Sequence, residues 1–213
     1  MTPGDATTDD WVAAITASII STPIATCVTD NRQPDNPIIA ANDAFCALTG
    51  YRRGEILGHN CRFLAGPATE PEARATLRQA VADGRPAIVE LTNYRKDGSP
   101  FRNAVMIAPI LDETGSAALY YGSQMDVGAA PNGAGLRRSK ARAAIEALSK
   151  RQRQVLGLMS TGYRNKQIGF KLGIDEKTVK MHRARLLKSL QVPTSADAIR
   201  LAVEADLLTS DPD

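Results

Sequence analysis

One short stretch constrains this chain more than any other: Gly128-Ala129-Ala130-Pro131-Asn132-Gly133-Ala134-Gly135. Gly, Pro and Asn at this density break regular structure, so residues 128–135 read as a linker. The charge balance changes at the same place. Residues 1–130 carry 10 Lys/Arg against 15 Asp/Glu, a net of −5, and residues 131–213 carry 16 against 8, a net of +8. The overall charge of +3 conceals this. Two modules with different partners are expected, and nucleic acid is the first candidate for the basic one.

At 213 residues, 43% hydrophobic and 23% charged, the chain falls among globular proteins of one or two domains. No apolar run approaches the roughly 18 residues of a membrane span, so no membrane partner is expected. Met1 to Asp10 is acidic and does not read as a signal peptide. Cys27, Cys46 and Cys61 show no CxxC pairing, which argues against zinc and a disulfide framework and fits a reducing cytoplasm. With His59 and His182 the only histidines, no metal site is expected.

Before the linker the pattern is mixed. Asp9–Ile20 reads as a helix carrying Trp11, Ile15 and Ile19. Ile24–Thr29 and Pro37–Ala41 read as strands joined by a turn rich in Asn, Pro and Asp. Asn42 to about Gly84 reads as several helices, the longest Pro71–Asp83. Three strands follow, Pro86–Arg95, Pro100–Leu111 and Ala117–Val127, the first two joined at Lys96-Asp97-Gly98-Ser99. This order resembles a PAS fold, an α+β arrangement of a five-stranded antiparallel sheet with helices on one face.

Gly58-His59-Asn60-Cys61-Arg62-Phe63-Leu64-Ala65 sharpens the resemblance. Read as a helical turn, it puts Cys61 and Ala65 on one face and points Arg62 elsewhere. The run is similar to the flavin-reactive turn of light-oxygen-voltage (LOV) photoreceptor domains, written GxNCRFLQ, and the likeness extends from about Thr22 to Asp126. It implies a flavin cofactor, the mononucleotide FMN favoured by a compact pocket and the dinucleotide FAD left open. Arg62 and Arg78 suit its phosphate. Asn93, Asn103 and Gln124 suit its pyrimidine edge. Leu64, Leu77, Leu91 and Ile107 suit its rings, while Asn60, Cys27 and Thr29 complete the expected set. The resemblance further implies a reversible, light-driven bond from Cys61 to flavin carbon C4a, with Gln124 reorganising its hydrogen bond near N5. Two positions depart from the pattern. Ala65 replaces the usual Gln and removes a polar contact. Cys27 replaces a usual aliphatic residue, and is expected either to tune dark recovery or to pack inertly.

After the linker the pattern is all-helical: Leu136–Leu148, Ser149–Ser160, Arg164–Leu172, Asp175–Leu190 and Ser195–Leu208. Leu148-Ser149-Lys150-Arg151-Gln152-Arg153-Gln154-Val155-Leu156, Gly162–Ile168 and Lys177–His182 resemble a four-helix LuxR-type helix-turn-helix domain over about Leu148 to Val203. Double-stranded DNA is the implied partner. Val179, Leu186 and Leu190 recur at core spacing on the recognition helix, while Lys177, Lys180, Met181, Ala184 and Lys188 share another face that should enter the major groove. Thr178, His182, Arg183 and Arg185 suit phosphate contacts.

The last helix carries two apolar stripes. One, Ala196, Ile199, Val203 and Leu207, suits the domain's own core; the other, Ala198, Leu201, Ala205 and Leu208, needs a second copy or the sensor. The expected organisation is a helical cap at 1–21, a LOV domain at 22–127, a linker and connecting helix at 128–147, a helix-turn-helix domain at 148–208 and a tail at 209–213. The expected function is a blue-light-activated transcription factor, monomeric in the dark and dimeric when lit, and not an enzyme. Trp11 and the connecting helix are expected to contribute to the contact between the halves, with a simple cap on the sheet as the alternative for Trp11. A flavin-based redox sensor, a Cys61 nucleophile enzyme and a protein-binding back half are the alternatives.

Overall fold

The computed structural model describes residues 8–128 and 133–207. Cap residues 1–7, linker residues 129–132, Leu208 and the tail at 209–213 lie outside the described residues.

The chain opens with α1 (Thr8–Ser18), then β1 (Ala25–Asp30) and β2 (Ile38–Ala41). Three helices follow, α2 (Asp43–Thr49), α3 (Arg53–Ile56) and α4 (Pro71–Ala82), with a 3-10 turn at Cys61–Leu64 before the last. The long strands are β3 (Ala87–Tyr94), β4 (Pro100–Leu111) and β5 (Ala117–Asp126). Pairing is antiparallel throughout, in the order β2-β1-β5-β4-β3. The back half is α5 (Gly133–Glu146), α6 (Lys150–Ser160), α7 (Asn165–Leu172), α8 (Glu176–Leu190) and α9 (Ser195–Glu204).

The sheet is covered on both faces. Neighbouring strand residues point to opposite sides. On one side Ala25, Cys27, Ile38 and Ala41 pack with Phe45, Ile56 and Leu64. On the other, Val28, Met106, Ala108, Ile110, Leu119 and Tyr121 share a continuous core with Ala141, Ile145, Val155, Leu156, Ile168, Val179, Leu186, Ile199 and Val203. The two modules are thus packed through one core. No helix among the described residues is long and apolar enough to cross a membrane.

Two element boundaries differ from expectation for physical reasons. Helix α5 starts at Gly133, inside the expected linker, because Ala141 and Ile145 are buried and Arg137 pairs with Glu90 of β3; that anchoring offsets the helix cost of glycine. Helix α9 stops at Glu204 because Asp206 turns left-handed, with φ 62°.

Asn42 locks the front of the sheet. Its Oδ1 accepts from Thr26 N at 3.0 Å and caps α2 through Phe45 N at 2.9 Å, while its Nδ2 donates to the carbonyls of Ile19, Thr22 and Ile24. Asn42→Ala strands several of these buried groups and is expected to cost about 2–3 kcal/mol. Urea unfolding checks this, with a lower midpoint at unchanged slope.

Candidate functional site

A cavity of about 670 Å³ opens between the helices and the sheet. Its floor is the inward face of β1, β3, β4 and β5, including Cys27, Thr29, Leu91, Asn93, Val105, Ile107, Gly122 and Gln124. One wall is α4, where Arg74, Leu77, Arg78 and Val81 fall at i, i+3, i+4 and i+7 on one face. Tyr120 ties β5 to that helix by donating to Val81 O at 2.9 Å. Burial, then the nearby Asp83 carboxylate, pushes its phenol up to about 12.

The opposite wall is the turn holding Cys61. Asn60 caps it, accepting from Arg62 N at 3.0 Å while donating to Asp35 O at 2.6 Å. Asp35 and Asn36 sit at φ 69° and 48°, a left-handed geometry that Asp and Asn tolerate well. The turn is 3-10 rather than α, which corrects the expected facing. Residues three apart eclipse in such a turn, so Cys61 stacks with Leu64 rather than Ala65. Arg62 also lines the cavity, paired with Asp35 at the exposed mouth. A surface pair of this kind is weak and readily exchanged for an anion.

Three amides form a chain beneath the cavity. Asn93 Nδ2 donates to Leu64 O at 3.0 Å, Asn103 Nδ2 bridges Asn93 Oδ1 at 2.9 Å and Gln124 Oε1 at 2.8 Å, and Asn103 Oδ1 accepts from Met125 N. Asn103 therefore orients Asn93 and Gln124 from behind and does not itself line the cavity. The other expected residues do: Cys27, Thr29, Asn60, Cys61, Arg62, Leu64, Leu77, Arg78, Leu91, Asn93, Ile107 and Gln124. Arg74 was missed, although its spacing of four from Arg78 signals it. Thr29 Oγ1 and Asn36 Oδ1 are buried with no hydrogen-bond partner among the described residues. Cations at the mouth, aliphatic walls, buried amides and two unpartnered oxygens fit a planar heterocycle with an anionic tail, as a flavin nucleotide is. Among the described residues, no three His, Cys, Asp or Glu side chains gather as a metal site would need.

The second surface is α7–turn–α8. Gly173, left-handed at φ 63°, ends α7, and Gly169 lets the turn close, since a Cβ there would meet Ile174 O at 2.7 Å. Asp175 caps α8 through Thr178 N at 2.7 Å. Val179, Leu186 and Leu190 are buried, while Lys177, Lys180, Met181, Ala184, Arg185 and Lys188 are exposed. Thr178 and His182 are half-buried beside them. Arg183 is placed differently from expectation. It donates to Asn165 Oδ1 and Ser195 Oγ, and burial lowers its pKa, so it joins three helices rather than facing out.

The halves meet where α9 lies on β3, β4 and β5. The stripe expected to need a second copy or the sensor is divided. Helix α5 packs along α9, with Arg142 Nε donating to Ala205 O, and Leu201 is only half-buried; Ala198 and Ala205 are buried in the shared core. Beside the apolar contacts of α9, the polar residues Asp197, Arg200 and Glu204 fall at i, i+3 and i+7, and Arg200 bonds the sheet. Thr22 Oγ1 donates to Asp197. Arg200 reaches Ala104 O at 3.2 Å, Ser123 Oγ at 2.8 Å and Glu204 Oε1 at 3.1 Å. Apolar periodicity could not reveal this row. Elsewhere Leu111 N donates to Gly162 O at 2.9 Å and Gln167 Nε2 to Asp112 O at 2.7 Å. Trp11 joins the contact as expected, with the Arg164 guanidinium 5.0 Å from its ring.

Comparison with known proteins agrees with this geometry. A model of the PAS domain matches residues 23–129, and one of the luxR family of bacterial regulatory proteins matches residues 146–202. Blue-light-activated histidine kinase 1 of Erythrobacter litoralis is 51% identical over 106 residues, covering 50% of this chain and 29% of its own length. Phototropin-2 of rice, Oryza sativa subsp. japonica, is 45% identical over 100 residues, covering 47% of this chain and 11% of its own length. A solved structure described as "Flavin Analogue Sheds Light on Light-Oxygen-Voltage Domain Mechanism" is 38% identical, with a TM-score of 0.52, covering 64% of this chain and 98% of its own. The chain spans less than a third of the length of these curated relatives. It belongs to the PAS domain family, in its light-oxygen-voltage form, with a luxR-family helix-turn-helix domain attached.

Proposed function

We propose that this chain is a flavin-binding blue-light receptor that controls its own DNA-binding domain, acting as a transcription factor without catalytic turnover. The kinase activity in a relative's name belongs to that relative. Arg62, Arg74 and Arg78 would hold the phosphate, Asn93 and Gln124 the polar ring edge, and the leucines the rings. When bound, the flavin supplies blue-light absorption and an electrophilic ring carbon to the Cys61 thiol. FMN fits the reading, since the mouth cations sit directly on the cavity.

One observation carries the coupling. Gln124 faces the cavity, and its neighbour Ser123 faces away and accepts from Arg200 of α9. The adjacent strand repeats this: Asn103 holds Gln124, and the next carbonyl, Ala104 O, accepts from Arg200. A change in the Gln124 hydrogen bond therefore acts on the same strand residues that grip α9. We infer a docked dark monomer and a released lit dimer. Full reversal of that balance, from 1:99 to 99:1, needs about 5.5 kcal/mol of differential stability.

The test compares absorption of the purified protein before and after blue light, with Cys61→Ala alongside. Reversible bleaching of bound flavin in wild type and none in Cys61→Ala is expected. DNA affinity should rise on illumination in wild type alone and fall steeply with salt. Bound flavin that never bleaches, or equal DNA affinity in both states, overturns the reading.

A further inference from the structure

We propose that Cys27 and Cys61 form a dithiol that a hydroperoxide closes to a disulfide, a modification site that removes the photoreactive sulfur. The effect on light response rests on the function proposed above; the disulfide itself does not.

The two sulfurs lie 3.6 Å apart and share a hydrogen bond across the cavity floor. They come from separate elements, the middle of β1 and the 3-10 turn, and both line the same cavity. A disulfide needs an S–S separation of about 2.05 Å, so the sulfurs must close by about 1.5 Å. Strand β1 is paired on both sides and cannot supply this movement. The Cys61 turn has only four residues and sits at the edge of the cavity, so it is the side that yields. Gly122 makes room for the arrangement. A Cβ at that position would lie 3.0 Å from Cys27 Sγ, so a side chain there would push the sulfur from its place.

The two thiols have different parts to play. Cys61 is half-exposed and is reached first from the cavity, whereas Cys27 is wholly buried. Its hydrogen bond with Cys61, and then burial, push the Cys27 thiol well above the usual range, so it holds its proton until a partner takes it. The Cys61 sulfur attacks the hydroperoxide oxygen. The O–O bond breaks, the thiol proton ends on the departing alkoxide as an alcohol, and Cys61 becomes a sulfenic acid. The Cys27 sulfur then attacks the Cys61 sulfur. The S–O bond breaks, and the leaving hydroxide takes the Cys27 proton as water. Two thiols have lost two electrons, and the hydroperoxide has become alcohol and water.

The experiment treats the full chain, flavin-loaded and in the dark, with hydrogen peroxide. Remaining thiols are alkylated, and the unreduced digest is weighed by mass spectrometry. Loss of Cys27 and Cys61 from the three free cysteines is expected, with a Cys27–Cys61 cross-linked peptide two hydrogens light and Cys46 still alkylated. Dithiothreitol should restore all three thiols. Cys27→Val should give no cross-link and carry Cys61 onward to sulfinic acid. Recovery of wild-type Cys27 as a free thiol beside an over-oxidised Cys61 overturns the proposal, and the wild-type digest decides this even if the variant fails to fold. Blue-light bleaching should vanish in the cross-linked protein and return after reduction. Cross-linked protein that still bleaches would uphold the disulfide and overturn the photoreactive role of Cys61.

Discussion

Arg200→Met is expected to free the helix-turn-helix half from the sheet in darkness. Arg200 is only 2% exposed. Its guanidinium pairs with Glu204, whose side chain is 9% exposed. Methionine keeps much of the volume but takes from the carboxylate its ion-pair partner, and Ser123 Oγ and Ala104 O lose their donor. Breaking one side of a buried pair costs about 3–5 kcal/mol. Undocking relieves that cost by returning Glu204 to water. At about 1.4 kcal/mol per tenfold, the open form should gain roughly a hundredfold or more. Small-angle scattering in the dark should report a larger radius of gyration, with light-independent DNA binding. Adding Glu204→Gln should recover much of the docking, because the stranded charge is gone. Failure of the second change to help would assign the effect to packing instead.

Gly162→Ala is expected to open the same contact from the other end. Gly162 has φ 96°, and a Cβ on it would lie 2.8 Å from Pro109 O and 3.0 Å from Leu111 Cγ. The nearest obstacle is backbone of the opposing domain, which cannot rotate aside as a side chain would. Left-handed strain and overpacking together cost about 2–4 kcal/mol. The Leu111 amide reports the outcome, because it donates to Gly162 O across the boundary; its hydrogen exchange should accelerate. Gly173→Ala is the control. Its φ is 63° and nothing lies within 4 Å of the added carbon, so it carries only the backbone strain and should leave Leu111 protected.

The sheet was legible because turn signals, such as Lys96-Asp97-Gly98-Ser99, bound its strands. Alternation gave little help, since Cys27 and Val28, or Ser123 and Gln124, point to opposite faces that are both buried. The pocket was legible from the octapeptide and from amides on three neighbouring strands. Asn103 shows the limit of that reading, since a strand position tells which face a side chain takes but not whether a neighbour screens it from the cavity. The Cys61 turn was assigned the wrong helical pitch because four residues carry too little periodicity to separate 3.0 from 3.6 per turn. The domain contact was hardest to read. Apolar stripes direct attention to Leu201, whereas the polar bonds to the sheet come from Arg200, flanked by Asp197 and Glu204, a row that looks like a solvated face until its partners are known. Arg183 failed for the same reason, its partners Asn165 and Ser195 being distant in sequence.

Met181 is 39% exposed and the lysines of α8 point outward while α9 is fully docked. Under the proposed function, the reading head is therefore never sheathed. A docked molecule can already slide on duplex by phosphate attraction, scanning sequence one half-site at a time without staying. Illumination then changes residence rather than search. Molecules near an operator commit as soon as a second one joins, so the delay between light and response is set by pairing on the duplex, not by the journey to it.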